Sequence, residues 1–204
     1  MAGRAAGRDH VGMTEARPEP RRMVSDPQVM RALAHPARLA IMEYLSSREG
    51  GGTATECAEI VGLSPSATSY HLRALAKFGL VQQAPSRGDA RERVWQTTSS
   101  SLMVDAGREA GPEARAAEQA VVEAHAVLAM ERTREWSRRA GEEPAEWYDA
   151  VMFNEALLVL TAEELVGLNE AVTALLRPYQ ARRRTDPPPG ARAVAVQYRA
   201  VPLA

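Results

Sequence analysis

Apolar positions recur every three or four residues in four short stretches between residues 27 and 79, each opened by a helix-starting residue and closed by a breaker. Pro27, after Asp26, opens a helix over about 27–34, and Pro36 opens a second over about 36–48. Three glycines at 50–52 end the second helix. The pattern predicts a compact helical start to the folded part of the chain.

The next two helices lie close together in sequence. Thr53 with Glu56 forms a capping box for a third helix that ends near Gly62. Ser64, an N-cap residue followed by proline, opens a fourth, and Gly79 fits the position just past its end. Only three residues separate these helices, which is the spacing of a helix-turn-helix.

The fourth helix has two distinct faces. Thr68, Leu72 and Leu75 share a face that we expect to be buried. The opposite face is polar and is predicted to point outward, and it carries Ser66, Ser69, Tyr70 and Arg73.

Two strands are predicted after this helix, over about 80–84 and 91–97, joined by a turn at 86–90. The helix-turn-helix with this hairpin makes a winged helix-turn-helix. Such a fold reads DNA, or it serves as a protein-docking module without DNA. We expect DNA binding.

Residues in this segment resemble the bacterial ArsR-type regulators. The resemblance covers about 26–98 and rests on an Ala-His-Pro-Ala-Arg junction at 34–38, on Ser-Tyr-His-Leu-Arg at 69–73 and on Gly-Leu-Val at 79–81. It implies a homodimeric transcription factor whose recognition helix enters the major groove of double-stranded DNA. It also implies that DNA is contacted by the following residues: Ser64, Pro65, Ser66, Ser69, Tyr70, His71, Arg73, Arg87 and Arg91. We add Lys77, at the end of the same helix, as a phosphate contact.

His71 has two open roles at this point. Its imidazole can donate to a DNA phosphate, or it can fix the recognition helix by bonding a nearby carbonyl.

The metal sites of that family are not matched. Its founding members carry a Cys-x-Cys pair in the third helix, where this chain has Cys57 alone, and His125 is the only histidine in 72–204. We therefore predict no metal site and no cofactor, and we interpret Cys57 as a small buried apolar residue.

A long helix is predicted over 112–141, with one stripe of mostly small residues: Ala117, Val121, Ala124 and Leu128. The resemblance implies that the helix after the wing forms the dimer, so we expect this stripe at the dimer interface. The alternative is that the stripe packs on the chain's own winged helix or on its C-terminal segment.

Residues 144–204 are expected to form a C-terminal strand–helix–strand unit, similar to extensions found beside ArsR-type domains in actinobacterial regulators. Residues 147–160 favour a strand, Thr161 and Glu164 form a capping box for a helix that ends near Pro178, and alternation over 191–201 favours a closing strand. A further hypothesis is a ligand cavity lined by apolar residues: Trp147, Phe153, Leu158 and Tyr198.

Composition sets the broad class. The 204 residues carry a formal charge of −1, with one cysteine and no apolar run long enough for a membrane helix or a secretory signal. Charge is uneven, since 1–95 hold thirteen basic and ten acidic residues whereas 142–176 hold eight acidic residues and no basic one. No catalytic motif is present. We predict a cytoplasmic, non-enzymatic protein with no membrane partner.

The predicted fold is mostly α with a small β wing. It comprises a disordered N-terminal arm over 1–24, a winged helix-turn-helix DNA-binding domain over 25–98, a dimerisation helix over 112–141 and a C-terminal α/β unit over 144–204. The proposed role is a repressor that binds an inverted-repeat operator. The alternatives are a protein–protein module and a regulator whose C-terminal unit holds a small molecule.

Overall fold

The structure is a computed structural model that describes residues 21–48, 50–85, 93–99, 101–181, 184 and 186–203. The winged helix-turn-helix begins with α1 (Pro27–Leu33), α2 (Pro36–Ser46), α3 (Ala54–Val61) and α4 (Pro65–Lys77). All four starts are capped, three of them at the residues that the sequence predicts. Asp26, His35, Thr53 and Ser64 each accept a hydrogen bond from a backbone N–H of the first turn.

The wing is a three-stranded antiparallel sheet in the order β2 (Gly52–Thr53), β4 (Val94–Thr97), β3 (Val81–Ala84). The hairpin strands β3 and β4 confirm the predicted pair, and β2 adds a short third strand. Gly51 lies against this sheet with φ +70°, and a Cβ there would sit 1.9 Å from the Trp95 carbonyl oxygen. Only glycine permits this approach.

A second sheet was not predicted. β1 (Arg21–Val24) pairs in parallel with β5 (Ser101–Val104). Arg22 donates to the Gly79 carbonyl at 2.5 Å and to the Thr98 hydroxyl at 3.3 Å, which ties β1 to the end of α4. The prediction of disorder is therefore wrong for 21–24, and residues 1–20 of the arm lie outside the described part.

One core holds the winged helix together. It contains Met30, Ile41, Leu72 and Trp95, all buried, together with the fully buried Cys57. Thr68 and Leu75 are buried beside Leu72, as the two-faced pattern of α4 predicts.

The long helix α5 (Pro112–Arg139) packs on α1 and α2 of its own chain. Its apolar stripe is part of the core just described, and Ala117, Val121, Ala124 and Leu128 are buried there. Arg31 pairs with Glu113 at 2.9 Å and Arg132 with Glu43 at 2.5 Å, so ion pairs flank this contact.

The assignment of these four residues to the dimer interface is therefore wrong. A face already covered by its own chain is not available to a partner. The face of α5 that stays exposed carries Val122, Val127 and Met130.

The C-terminal region is less regular than predicted. It holds a short helix α6 (Ala145–Asp149) and the helix α7 (Ala162–Leu176), whose predicted capping box between Thr161 and Glu164 is present. A 3₁₀ turn at Arg177–Tyr179 ends α7 at the predicted proline. Residues 151–160 and 191–203 lie outside any helix or strand. The predicted flanking strands, and with them the strand–helix–strand unit, are wrong.

Candidate nucleic-acid interface

The turn of the helix-turn-helix is set by Gly62 and Leu63. Gly62 takes a left-handed conformation, φ +64°, and the N–H of Leu63 bonds back to the Ala58 carbonyl at 3.2 Å. These bonds end α3 and turn the chain into Ser64. Ser64 then caps α4 by accepting from the N–H of Ala67 at 3.2 Å.

The start of α4 is open to solvent. Ser64, Pro65 and Ser66 are exposed, and Tyr70 keeps 59 % of its surface. Arg73, one turn further along, is also exposed. The outward face therefore presents hydroxyls, one phenol and one guanidinium, which are side chains that hydrogen-bond to base edges and phosphates.

A shallow depression of about 240 Å³ lies where α3, α4 and β4 meet. Arg73 and Ser69 line it from α4, Thr55 from the first turn of α3, and Arg93 from the residue before β4. A helix N-terminus carries partial positive charge, so it adds to the two guanidinium groups. The depression suits an anion such as a backbone phosphate.

The sequence did not single out Arg93 or Thr55. Arg93 falls within the strand predicted over 91–97, and nothing in the neighbouring sequence distinguishes it as a binding residue. The capping box at Thr53 marks the N-terminus of α3, so the position of Thr55 in the first turn of that helix could be predicted from the sequence. That Arg93 lines the same depression as Arg73 depends on how the hairpin packs against α4.

His71 is not at this surface. It is 8 % exposed, its Nδ1 accepts from Arg38 Nε at 3.4 Å, and its ring lies 4.7 Å from that of His35. Arg38 also donates to the Ala32 carbonyl at 2.7 Å. His71 thus joins the recognition helix to the α1–α2 junction, which corrects its assignment as a phosphate contact.

The environment of this histidine pair favours neutral rings. Desolvation by burial is the largest cause that lowers the pKa of both His35 and His71, and the Arg38 cation acts in the same direction. A neutral His71 offers a free Nδ1 lone pair to Arg38, as the geometry requires.

Of the remaining residues assigned to DNA contact, one lies at the edge of this face and two lie outside the described part of the chain. Lys77 is exposed at the last turn of α4, twelve residues from Pro65 and so about 18 Å along the helix. Arg87 and Arg91 of the wing lie outside the described residues.

Metal and ligand sites find no support in the described part of the chain. Cys57 is buried, and burial raises the pKa of its thiol to about 11. Among the described residues, no group of three potential metal ligands comes together. Phe153, Leu158 and Tyr198 are exposed, so the proposed apolar cavity does not close around them.

No helix in the described ranges is long and apolar enough to cross a membrane.

Comparison with known proteins locates the resemblance in the helix-turn-helix. Residues 35–83 match the model of the bacterial regulatory protein, arsR family. No curated protein matches the chain.

Solved structures also match the chain. Zinc-responsive MarR family member ZitR from Lactococcus lactis is 14 % identical over 83 % of both chains, with a TM-score of 0.27. The adhesin competence repressor AdcR from Streptococcus pyogenes is 16 % identical over 71 % of this chain and 79 % of its own, with a TM-score of 0.30. RV1404 from Mycobacterium tuberculosis is 17 % identical over 74 % and 82 %, with a TM-score of 0.28. The similarity to the arsR family therefore covers residues 35–83, from the N-cap of α2 to β3.

Proposed function

We propose that the protein is a homodimeric transcriptional repressor that binds double-stranded DNA at an inverted-repeat operator. The observation that carries the proposal is the exposed polar face of α4 beside the Arg73–Arg93 depression, within the ArsR-family segment. Repression is the mode we propose because a bound dimer occludes a promoter without any further contact.

The face of α4 divides into two kinds of contact. Ser66, Ser69 and Tyr70 lie on the turns that would enter the major groove, together with Arg73, so they are assigned to base edges. Phosphates are assigned to residues around that face: Ser64, Thr55, Lys77, Arg93 and the wing residues Arg87 and Arg91. Phosphate contacts fix the register of the helix, and base contacts select the sequence.

A two-fold dimer places its two α4 helices about one DNA turn apart, near 34 Å, so the operator is expected to be an inverted repeat with that half-site spacing. We expect the protein to act in the cytoplasm and to need no enzymatic activity.

The test is selection of bound fragments from genomic DNA, followed by affinity measurements at several salt concentrations. Each phosphate contact releases counterions, so affinity should fall steeply with salt, by roughly 10³-fold or more between 50 and 200 mM for six or more contacts. A protein-docking module would select no fragment, and its weak DNA binding would show no preferred sequence.

A further inference from the structure

A polar link joins the recognition helix α4 to two other helices. Arg38 of α2 donates through Nη1 to the Ala32 carbonyl at 2.7 Å and through Nε to His71 Nδ1 at 3.4 Å. Ala32 lies in the last turn of α1, and His71 is buried in the middle of α4. One guanidinium therefore connects α1, α2 and α4.

The apolar contacts of α4 are less directional than this link. Leu72 and Leu75 are fully buried in the core, and apolar packing is non-directional, so it sets the depth of α4 more than its rotation. A helix with its side chains has a radius of about 5–6 Å, and a rotation of about 10° moves a side-chain tip by about 1 Å. A hydrogen bond resists that movement because it weakens steeply with angle.

The residues assigned to base edges are close neighbours of His71 on α4. The ring of Tyr70 lies edge-on to that of His71, with 5.6 Å between the centroids. Ser69 and Arg73 are each two positions away. A shift of about 1 Å is enough to break a bidentate contact with a base, whose hydrogen bonds are about 2.7–3.2 Å long. The rotation of α4 that is fixed at His71 therefore also fixes the side chains that would select the sequence.

A proton on His71 removes the link. Nδ1 accepts from Arg38 only in the neutral ring, because both nitrogens of an imidazolium are donors. Burial, the nearby His35 and Arg38 all lower the pKa of His71. His35, whose ring centroid is 4.7 Å away, also has a lowered pKa, although Glu131 of α5 acts on it in the opposite direction. His71 is therefore neutral at pH 7 and takes up its proton below about pH 6.5.

We infer that Arg38 and His71 are positioning residues for sequence recognition: their link holds α4 in place on the bases, and a proton on His71 breaks it, so that sequence discrimination is lost in mild acid. The inference rests on the proposed DNA binding and adds a pH dependence to it. Discrimination is the ratio of the affinities for operator and random duplex. It falls because base contacts need α4 in place, whereas the phosphate contacts that hold random duplex tolerate a displaced helix.

The experiment measures this ratio for full-length proteins at one salt concentration between pH 7.5 and pH 5. A single proton released on specific binding lowers the operator affinity by at most about tenfold per pH unit below the pKa of His71. We expect the parent to lose about threefold or more of its discrimination by pH 5. Its affinity for random duplex should not fall, because acid adds positive charge to the protein.

Two variants at position 71 separate the hydrogen bond from the proton. His71→Asn keeps an acceptor for Arg38 but does not titrate, so its discrimination at pH 7.5 should be close to that of the parent and should persist at pH 5. His71→Leu fills the site without an acceptor and leaves Arg38 Nε unpaired. It should lose about fivefold or more of the discrimination, at every pH.

His35→Asn is the matched control. Asparagine can still cap α2, and His71 remains free to titrate. Because His35 lowers the pKa of His71, this variant should lose discrimination as the parent does, but at a higher pH.

Amide hydrogen exchange gives a readout that needs no DNA. The parent and His71→Asn are compared at equal pH, since intrinsic exchange rates change with pH. The amides of α4 should be equally protected in both proteins at pH 7.5 and less protected in the parent at pH 5. Circular dichroism at each pH shows whether every protein is folded, and the comparison stands without His71→Leu if that variant does not fold.

Several outcomes contradict the inference. They are a parent with equal discrimination at pH 7.5 and pH 5, a His71→Asn protein that loses discrimination in acid as the parent does, and a His35→Asn protein without pH dependence. Equal protection of α4 in parent and His71→Asn at pH 5 is a fourth. A parent that prefers no sequence at pH 7.5 contradicts the proposed function instead, and hydrogen exchange then decides alone whether a proton on His71 loosens α4.

Discussion

Gly51 lies where the loop after α2 passes closest to β4, and it illustrates how a single residue fixes the wing. Gly51→Ala must place a methyl group against the Trp95 carbonyl at a positive φ. In Gly62→Ala the added Cβ meets nothing within 4 Å, so only the left-handed backbone conformation is unfavourable. This variant should lose about 1–2 kcal/mol in the free energy of unfolding. We expect Gly51→Ala to cost clearly more than that in urea unfolding. Equal losses in the two variants would show that the loop moves to accommodate the methyl group.

The His35–His71 pair predicts how stability depends on pH. Both pKa values are lowered in the folded chain, first by desolvation, so the folded state keeps these rings neutral. Above about pH 6.5 both states are neutral and the contribution to stability is complete. Below that pH the unfolded chain takes up protons first, and stability is lost as the pH falls toward the lowered folded-state values.

We expect the free energy of unfolding to decrease between pH 7 and pH 5, and to decrease less in His71→Asn, whose side-chain oxygen can still accept from Arg38. Urea titrations at pH 7, 6 and 5 measure the difference. The same slope in parent and variant would mean that His71 does not titrate differently on folding.

At the scale of single residues, the sequence correctly predicted the contacts that depend on neighbouring positions in the chain. The caps at Asp26, Thr53 and Ser64 depend on residues two or three positions away, and all are present. The role of His71 depends on Arg38, 33 positions away, so the sequence left it open between a phosphate contact and a positioning role. The structure favours positioning, through an arginine rather than a carbonyl.

Among the elements, α5 differs most from its predicted role. Its stripe packs on α1 and α2, so Ala124→Arg buries an unpaired charge within the chain. We expect a loss of several kcal/mol in the free energy of unfolding of the monomer. Val122→Arg, on the exposed face two residues earlier, should change it by less than about 0.5 kcal/mol. An Ala124→Arg protein with parental stability would contradict the packing of α5 described above.

Helices could be predicted where strands could not. A capped amphipathic helix such as α4 or α7 satisfies its own backbone, so its signal is contained in its own residues. A strand needs a partner, and the alternation over 191–201 says nothing about where that partner is. For the same reason the parallel pairing of β1 with β5, 80 residues apart, left no local signal in the sequence.

For the molecule as a whole, charge separates a basic N-terminal half from an acidic stretch over 142–176, which holds eight acidic residues and no basic one. Residues 1–95 carry a net +3, from thirteen basic and ten acidic side chains. If the protein binds DNA as we propose, this difference would orient it with α4 toward the polyanion.

The wing should contribute affinity more than sequence choice. In the sequence, Arg87 falls within the turn predicted at 86–90 and Arg91 directly follows that turn. Replacing both with alanine should weaken binding to all sequences alike and make the salt slope shallower by roughly two units. The measurement is affinity for operator and random duplex between 50 and 200 mM salt. An unchanged slope would exclude phosphate contact by these arginines.

The most direct test of the central claim is the ratio of affinities for a selected operator and a random duplex, at one salt concentration, for Tyr70→Ala, Arg73→Ala and the control Tyr148→Ala. Tyr148 is as exposed as Tyr70 but lies in α6, away from the helix-turn-helix. If the outward face of α4 reads the sequence, the two α4 variants each lose about 1–3 kcal/mol of discrimination and the control loses none. Unchanged discrimination in both α4 variants would contradict the account.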